Sequence, residues 1–366
     1  TPTALGFQGN WIEVDPHDEN TVYTCNSVHI FKTTDGGKSW AETTSRAGAI
    51  SGTWQGSGYS GYVPTQVKWN PYQPKQLVLM AMDDGKFMTS DDMKNWRMHG
   101  PSLENWGGGV DVSFAADGHT LVAAFGQEGW KQEVATSGDG GITWKSLPTP
   151  GDGPIASVHV QPDDPARIWL IRGGKLYLTN DAGASWNGID AGSNDLMEIA
   201  ARASVPDAIY LTARNGVYLG DKENHFKKLV SIESAESNRI CLDPSDPEKF
   251  WVASWRYNQY HSGVWRYDHG SWERVRQDEF AYDVAVDPAD SKRVLYITNH
   301  NPGVDVSAAT GVWMTENAAD KQPVWTQQNQ GLPMLRANCI SFNPAKNGEV
   351  VVGLNGRGFY KTRIAE

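Results

Sequence analysis

Thr33-Thr-Asp35-Gly-Gly37-Lys-Ser-Trp40 decides how this chain is read, because it returns at intervals along the sequence. Further copies are Thr89-Ser-Asp91-Asp-Met-Lys-Asn-Trp96, Ser137-Gly-Asp139-Gly-Gly141-Ile-Thr-Trp144 and Thr179-Asn-Asp181-Ala-Gly183-Ala-Ser-Trp186. A worn copy runs from Asp221 to Phe226, and looser ones end at Trp272 and Trp325. The unit has the chemistry of a tight hairpin. Its aspartate can accept backbone N–H bonds across the turn, glycine permits a positive φ, and tryptophan packs beneath.

A second repeat alternates with the first. Trp11-Ile-Glu13-Val-Asp15-Pro16 matches Gln66-Val-Lys68-Trp-Asn70-Pro71, Ser157-Val-His159-Val-Gln161-Pro162 and Arg239-Ile-Cys241-Leu-Asp243-Pro244. It also matches Asp283-Val-Ala285-Val-Asp287-Pro288 and Cys339-Ile-Ser341-Phe-Asn343-Pro344, with degenerate copies at Asp111 and Glu198. Each copy reads as a short alternating strand ended by an Asx or Gln–Pro turn. Three more strands follow in each unit, and such repeats indicate an all-β fold, a single β-propeller of four-stranded blades spanning residues 1–366. The inner strands count to eight blades; seven follows if one of them is misread. The last unit stops at Tyr360-Lys-Thr362, so residues Thr1 to Gly6 are expected to supply its fourth strand and remove an open edge.

The Asp-to-Trp unit resembles the Asp-box, or bacterial neuraminidase repeat, of sialidases, Asp-box xyloglucanases, sortilin-type receptors and photosystem assembly propellers. The resemblance implies a propeller and carbohydrate chemistry. It carries over no catalytic residue, because the loop matching the aspartate-bearing first-blade loop of the xyloglucanases reads Cys25-Asn26-Ser27-Val28-His29.

Alternation sorts the faces of the inner strands. Ile12, Val67, Val112, Val158, Ile199, Ile240, Val284 and Ile340 are all apolar and are expected between blades. The opposite face begins with Trp11, Gln66, Asp111, Ser157, Glu198, Arg239, Asp283 and Cys339, an upper ring lining the channel. Glu13, Lys68, Ser113, His159, Ala200, Cys241, Ala285 and Ser341 form a lower ring. Asp111, Glu198 and Asp283 are therefore the candidate catalytic carboxylates, with Asp111 first because it follows Gly107-Gly-Gly109, a run expected to let a ligand approach the backbone closely. In an eight-bladed ring, alternate blades would place them roughly 10 Å apart, nearer the spacing of inverting than of retaining glycosidases.

Arginines and aromatics complete the expected site. Arg172, Arg214, Arg256 and Arg357 end second strands, Arg336 enters an inner strand and Arg239 lies in the ring. Their planar forks suit a carboxylate or sulfate, although Arg357 matches a closing turn common in Asp-box proteins. Of the 16 tryptophans, six end the repeats and seven fall on strands, which leaves Trp54, Trp106 and Trp130 on ligand-side loops. Tyr260 and His261 share a loop, and His300 and His29 lie in comparable ones. Aromatics there can stack on sugar rings.

Composition limits the function. A net charge of −11 argues against a nucleic-acid partner, and no stretch approaches the roughly 18 apolar residues of a membrane span, so a soluble chain with no membrane partner is expected. Cys25, Cys241 and Cys339 lack metal-ligand spacing, and neither metal nor cofactor is expected. The start at Thr1 suggests a processed, secreted or periplasmic form, expected as a monomer. The leading expectation is a glycoside hydrolase acting on an acidic, uronate- or sulfate-bearing oligo- or polysaccharide through the ring carboxylates. A polysaccharide lyase, with a histidine or tyrosine base and arginines on the uronate, is the second reading. A non-catalytic binding propeller is the third.

Overall fold

A computed structural model describes residues 11–25, 29–58, 62–82, 87–100, 108–126, 131–233, 235–256, 262–299 and 309–364. Its regular elements are all β-strands, arranged as seven four-stranded sheets, one three-stranded sheet and one two-stranded hairpin. In each larger sheet, strands consecutive in sequence pair antiparallel, as short connections require. The sheets stand where the two repeats place them.

The chain forms two compact units, Thr1–Gly61 with Ser90–Arg97, and Tyr62–Thr89 with Met98–Glu366. The first holds the sheet that begins at Trp11–Asp15 and the hairpin of Ser45–Ala47 with Trp54–Gly56. Trp54 exchanges backbone hydrogen bonds with Trp96 at 2.9 and 2.8 Å, and Asn95 Oδ1 accepts from Ala49 N and Gln55 Nε2.

The second unit is a propeller. Its inner strands are Pro64–Trp69, Gly109–Phe114, Ile155–Gln161, Leu196–Arg202, Ser237–Leu242, Ala281–Val286 and Ala337–Phe342. Each packs beside the next, and the last packs beside the first, so seven sheets close a circuit. That is the count which the sequence left as the alternative to eight; the remaining sheet belongs to the first unit. Among the described residues, no strand-to-strand hydrogen bonds join one sheet to another. The expected pairing of Thr1 to Gly6 with the last sheet lies outside the described residues; among the described residues that sheet has three strands.

Apolar alternation explains the packing between these sheets. Val67, Val112, Val158, Ile199, Ile240, Val284 and Ile340 are all buried, the most exposed of them being Ile240 at 9%. In the first unit the equivalent Ile12 is 66% exposed, contrary to the expected burial between blades. Six apolar clusters fill the successive gaps between sheets of the second unit, for example Leu170 and Ile168 against Val122 and Ala124. Tryptophans of the repeat add to them: Trp144 packs edge-on to Phe87 and Phe125, and Trp325 edge-on to Tyr296.

The repeat loops fold as Ser/Thr–x–Asp turns. Thr33 Oγ1 donates to Asp35 Oδ1 at 2.7 Å, while Ser39 N and Oγ donate to the same carboxylate at 2.9 and 2.5 Å. The loops at Asp139 and Asp181 repeat this pattern. Hydroxyl donors hold all three acids down at about 2. In the second sheet the sequence alignment put Asp91 in this role, but Asp92 occupies it, accepting from Ser90 Oγ and from Lys94 and Asn95 N. The geometry starts from the hydroxyl residue, and Ser90, not Thr89, supplies it. Asn317 takes the same place after Thr315, in the looser copy that ends at Trp325.

Side chains, not strand pairing, tie the inner strands of neighbouring sheets. Asp111 Oδ2 accepts from Ser157 Oγ at 2.6 Å and Val158 N at 3.0 Å. Ser157 Oγ accepts from Ile199 N, Glu198 Oε2 from Ile240 N, and Asp283 Oδ2 from Ile340 N, at 3.1–3.2 Å. Two outcomes follow. Ile199→Ala should lower unfolding free energy by about 2–5 kcal/mol through lost burial and a cavity. Asp111→Ala, which strands the half-buried Lys68 ammonium and the donors of Val112, Ser157 and Val158, should cost about 3–5 kcal/mol. Urea denaturation of each variant measures both, and a change under about 1 kcal/mol would refute the role assigned to either residue.

Candidate functional site

Backbone irregularity positions the ring. In six of the seven inner strands of the second unit the register slips just before the ring residue: at Pro64/Gln66, Gly109/Asp111, Ile155/Ser157, Leu196/Glu198, Ala281/Asp283 and Ala337/Cys339. A bulge leaves one residue unpaired and re-aims its neighbours. The extra residues are Thr65, Val110, Ala156, Met197, Tyr282 and Asn338. The seventh strand, Ser237–Leu242, pairs without a slip, and it carries Arg239.

A cavity of about 660 Å³ opens above the ring, with Asp111, Ser157, Glu198 and Arg239 among its lining groups. The bulge residues Thr65, Val110, Ala156 and Met197 also line it, as do Gly108, Gly109, Gly173, Gly174 and Arg214. Two of these glycines answer to the chain itself. A Cβ at Gly108 would meet Ala81 O at 2.1 Å, and one at Gly174, where φ is +74°, would meet Asn194 O at 2.2 Å. The run before Asp111 therefore admits a neighbouring strand, whereas the sequence suggested that it admits a ligand.

The three ring carboxylates differ in what they have left to offer. Asp111 is 3% exposed. Besides Ser157 and Val158, it accepts from Val112 N at 2.8 Å and from the Lys68 ammonium, and the Gln66 amide donates to it at 3.2 Å. Five donors on two oxygens leave no site for a substrate proton, so this acid works as a clamp between sheets. Asp283 accepts Val284 N at 2.9 Å and Ile340 N at 3.1 Å, one bond on each oxygen. Among the described residues Glu198 accepts only Ile240 N, on Oε2, and its Oε1 lies 4.0 Å from Arg239 Nη1.

Burial sets the electrostatics of this group. It raises Glu198 to about 7; Arg239 opposes the rise and Asp283 adds to it. It raises Asp283 to about 6 against the pull of Arg239 and two backbone N–H groups. Burial also opposes the Arg239 charge, yet Glu198, Tyr282, Asp283 and Asp111 outweigh it and hold that guanidinium above its ordinary value. Below the acids, burial and Lys68 bring His159 down to about 4, so its ring is neutral at pH 7. Cys241 is pushed up to about 12 by burial, and Cys339 rises for the same reason; neither is a thiolate. An acid still protonated near neutrality beside one that is ionised can divide proton donation and acceptance between them.

The other expected residues divide by place. Arg172 is occupied, donating to Gly153 O at 3.1 Å and to Thr149 Oγ1 at 2.7 Å. Arg214 is exposed on the cavity wall, and Arg256 is half-buried after the strand Lys249–Trp255. Trp54 and His29 belong to the first unit, where His29 Nδ1 lies 3.4 Å from Thr44 Oγ1. Trp106, Trp130, Tyr260, His261 and His300 fall outside the described residues. Sequence reading missed the bulge residues, Tyr282 above all, because alternation alone does not reveal an inserted residue.

The raised acids couple stability to pH. Folded Glu198 keeps its proton up to about 7, whereas the unfolded group loses it near 4.5, so stability falls as pH rises between those values. Glu198→Gln should flatten that slope, most clearly between about 6 and about 7, where Asp283 no longer contributes. Denaturant unfolding at a series of pH values measures it; an unchanged slope in the variant would contradict the assignment.

No family profile matches this sequence, and no curated protein does either. Solved structures do resemble it. A GH74 enzyme from Niastella koreensis superposes with a TM-score of 0.64 at 16% identity, covering 99% of this chain and 60% of that one. A GH74 xyloglucanase from Xanthomonas campestris gives 0.64 at 15% identity, covering 98% and 59%. YCF48 bound to D1 peptide gives 0.60 at 12% identity, covering 87% and 97%. The chain thus spans about three fifths of either GH74 protein, and at these identities the likeness is one of fold.

Proposed function

We propose that this chain is a carbohydrate-active propeller that hydrolyses a glycosidic bond in an anionic glycan. Glu198 acts as proton donor and Asp283 as general base. One observation carries the reading: a carboxyl group that burial keeps protonated near pH 7, with one oxygen free of hydrogen bonds, on the lining of a cavity of about 660 Å³. An ionised carboxylate could not give a proton to a leaving glycosidic oxygen, whereas a half-protonated one can do so at neutral pH. Asp283 is the more acidic member, and its two backbone donors favour the charge that a base requires. Arg239 favours the ionised form of both acids. Two GH74 enzymes among the similar structures favour glycan hydrolysis. The exposed Arg214 on the cavity wall favours a negatively charged glycan.

The test is a panel of acidic and neutral oligosaccharides with products weighed by mass spectrometry. Hydrolysis adds one water across the cleaved bond, elimination adds none, and a binding propeller leaves every oligosaccharide intact. Glu198→Gln should lower kcat by about 10²–10⁴ with little change in KM. The wild-type rate should rise with pH through about 6 as Asp283 ionises and fall through about 7 as Glu198 loses its proton. Full activity in Glu198→Gln, or products of elimination, would overturn the reading.

A further inference from the structure

The positive charge in the ring is already committed. Arg239 stands among Glu198, Asp283 and Asp111, so an incoming anion would meet a guanidinium whose charge is balanced. Recognition of an anionic sugar needs a cation whose own partners are neutral and whose donors are vacant. Arg336, immediately before the inner strand Ala337–Phe342, meets that description. Its Nε donates to Asn299 Oδ1 at 2.8 Å. Asn299 is 5% exposed and donates to Asn338 Oδ1 at 2.6 Å, and Asn338 donates to Pro64 O at 2.8 Å. This run of amides uses one of the five guanidinium N–H groups and fixes the plane of the fork. The two terminal nitrogens of Arg336 make no hydrogen bond among the described residues.

Tyr282 stands beside it. It is the residue inserted by the bulge between Ala281 and Asp283, the position whose equivalents Thr65, Val110, Ala156 and Met197 line the cavity. Tyr282 is half-buried, interacts electrostatically with both Arg239 and Arg336, and its hydroxyl makes no hydrogen bond among the described residues. The same strand therefore offers a phenol and, one residue on, Asp283, the base of the proposed reaction.

We propose that Arg336 and Tyr282 form the subsite that receives the carboxylate of a uronic acid residue. The terminal nitrogens of Arg336 donate to its two oxygens as a fork, and the Tyr282 hydroxyl donates a third bond. A carboxylate offers two coplanar acceptors at the spacing of the fork, which a neutral sugar hydroxyl does not. This deepens the hydrolase reading and rests on it: the subsite selects the residue presented to Glu198 and Asp283.

Binding of glucuronate, glucose and glucose 6-sulfate to the whole chain, measured by calorimetric or NMR titration, tests it without catalysis. Wild type should bind glucuronate at least ~10-fold tighter than glucose, and Arg336→Gln should erase that preference. Arg336→Lys keeps the charge but loses the fork and the Asn299 bond, so it should retain only a minor part. Tyr282→Phe should weaken glucuronate by ~3–10-fold and leave glucose unchanged. A preference that survives in Arg336→Gln, its absence from wild type, or tighter binding of the sulfate would overturn the subsite. The two readings fail separately. An Arg336-dependent preference for glucuronate in a protein that cleaves no acidic oligosaccharide keeps the subsite and removes the hydrolase. Equal cleavage of acidic and neutral oligosaccharides by wild type and Arg336→Gln does the reverse.

Discussion

Each inner strand of the second unit lies flat against two others without pairing with either, and its backbone N–H groups at the ring need acceptors that no sheet supplies. Side chains supply them. Asp111, Ser157, Glu198 and Asp283 each accept a main-chain N–H from the next sheet round the circuit. Buried donors left unpaired cost roughly 1–3 kcal/mol each, so these acceptors hold the circuit together as much as the apolar clusters do. Glu198 and Asp283, placed for that purpose, are buried, and burial raises both. The geometry that closes the ring thus also shifts two of its acids toward neutrality.

How far each acid is used up by the clamp decides what else it can do. Asp111 meets five donors, including the Lys68 ammonium, and nothing remains. Asp283 meets two backbone donors and stays the more acidic of the raised pair. Glu198 meets one, and its second oxygen faces Arg239 across 4.0 Å. A single structural device, applied with one to five donors, leaves Asp111 fully engaged and Asp283 and Glu198 progressively less so. Bulges refine it by turning Thr65, Val110, Ala156, Met197, Tyr282 and Asn338 out of register. The strand that lacks a bulge is the one that sets its arginine between the two raised acids.

Much of the fold was legible because it is written in short-range signals. A hydroxyl–x–Asp turn and an alternating strand before an Asx–Pro turn each fold within about ten residues, so a linear reading recovers them. Even there, adjacent aspartates defeated it: Asp91 and Asp92 differ only in their distance from Ser90, and the hydroxyl chooses. The apolar faces of seven inner strands read correctly, while Ile12 carried the same pattern in a strand that buries it far less. The site was less legible because its chemistry depends on partners 19 to 47 residues away. Nothing local to Asp111 announces Lys68 or Ser157, and nothing local to Arg172 announces that Thr149 and Gly153 occupy it. Tyr282 stayed hidden for a related reason, since an inserted residue is visible only once its neighbours are known.

Everything proposed about chemistry turns on the protonation of one side chain. Isotope-edited NMR of the Glu198 carboxyl carbon, followed through a pH titration of the folded protein, reads that state directly. The account predicts a midpoint near 7, moved well above the ordinary 4.5 by burial and by Asp283. A midpoint at or below 4.5 would leave Glu198 fully ionised at neutral pH, unable to donate a proton, and would contradict the central claim.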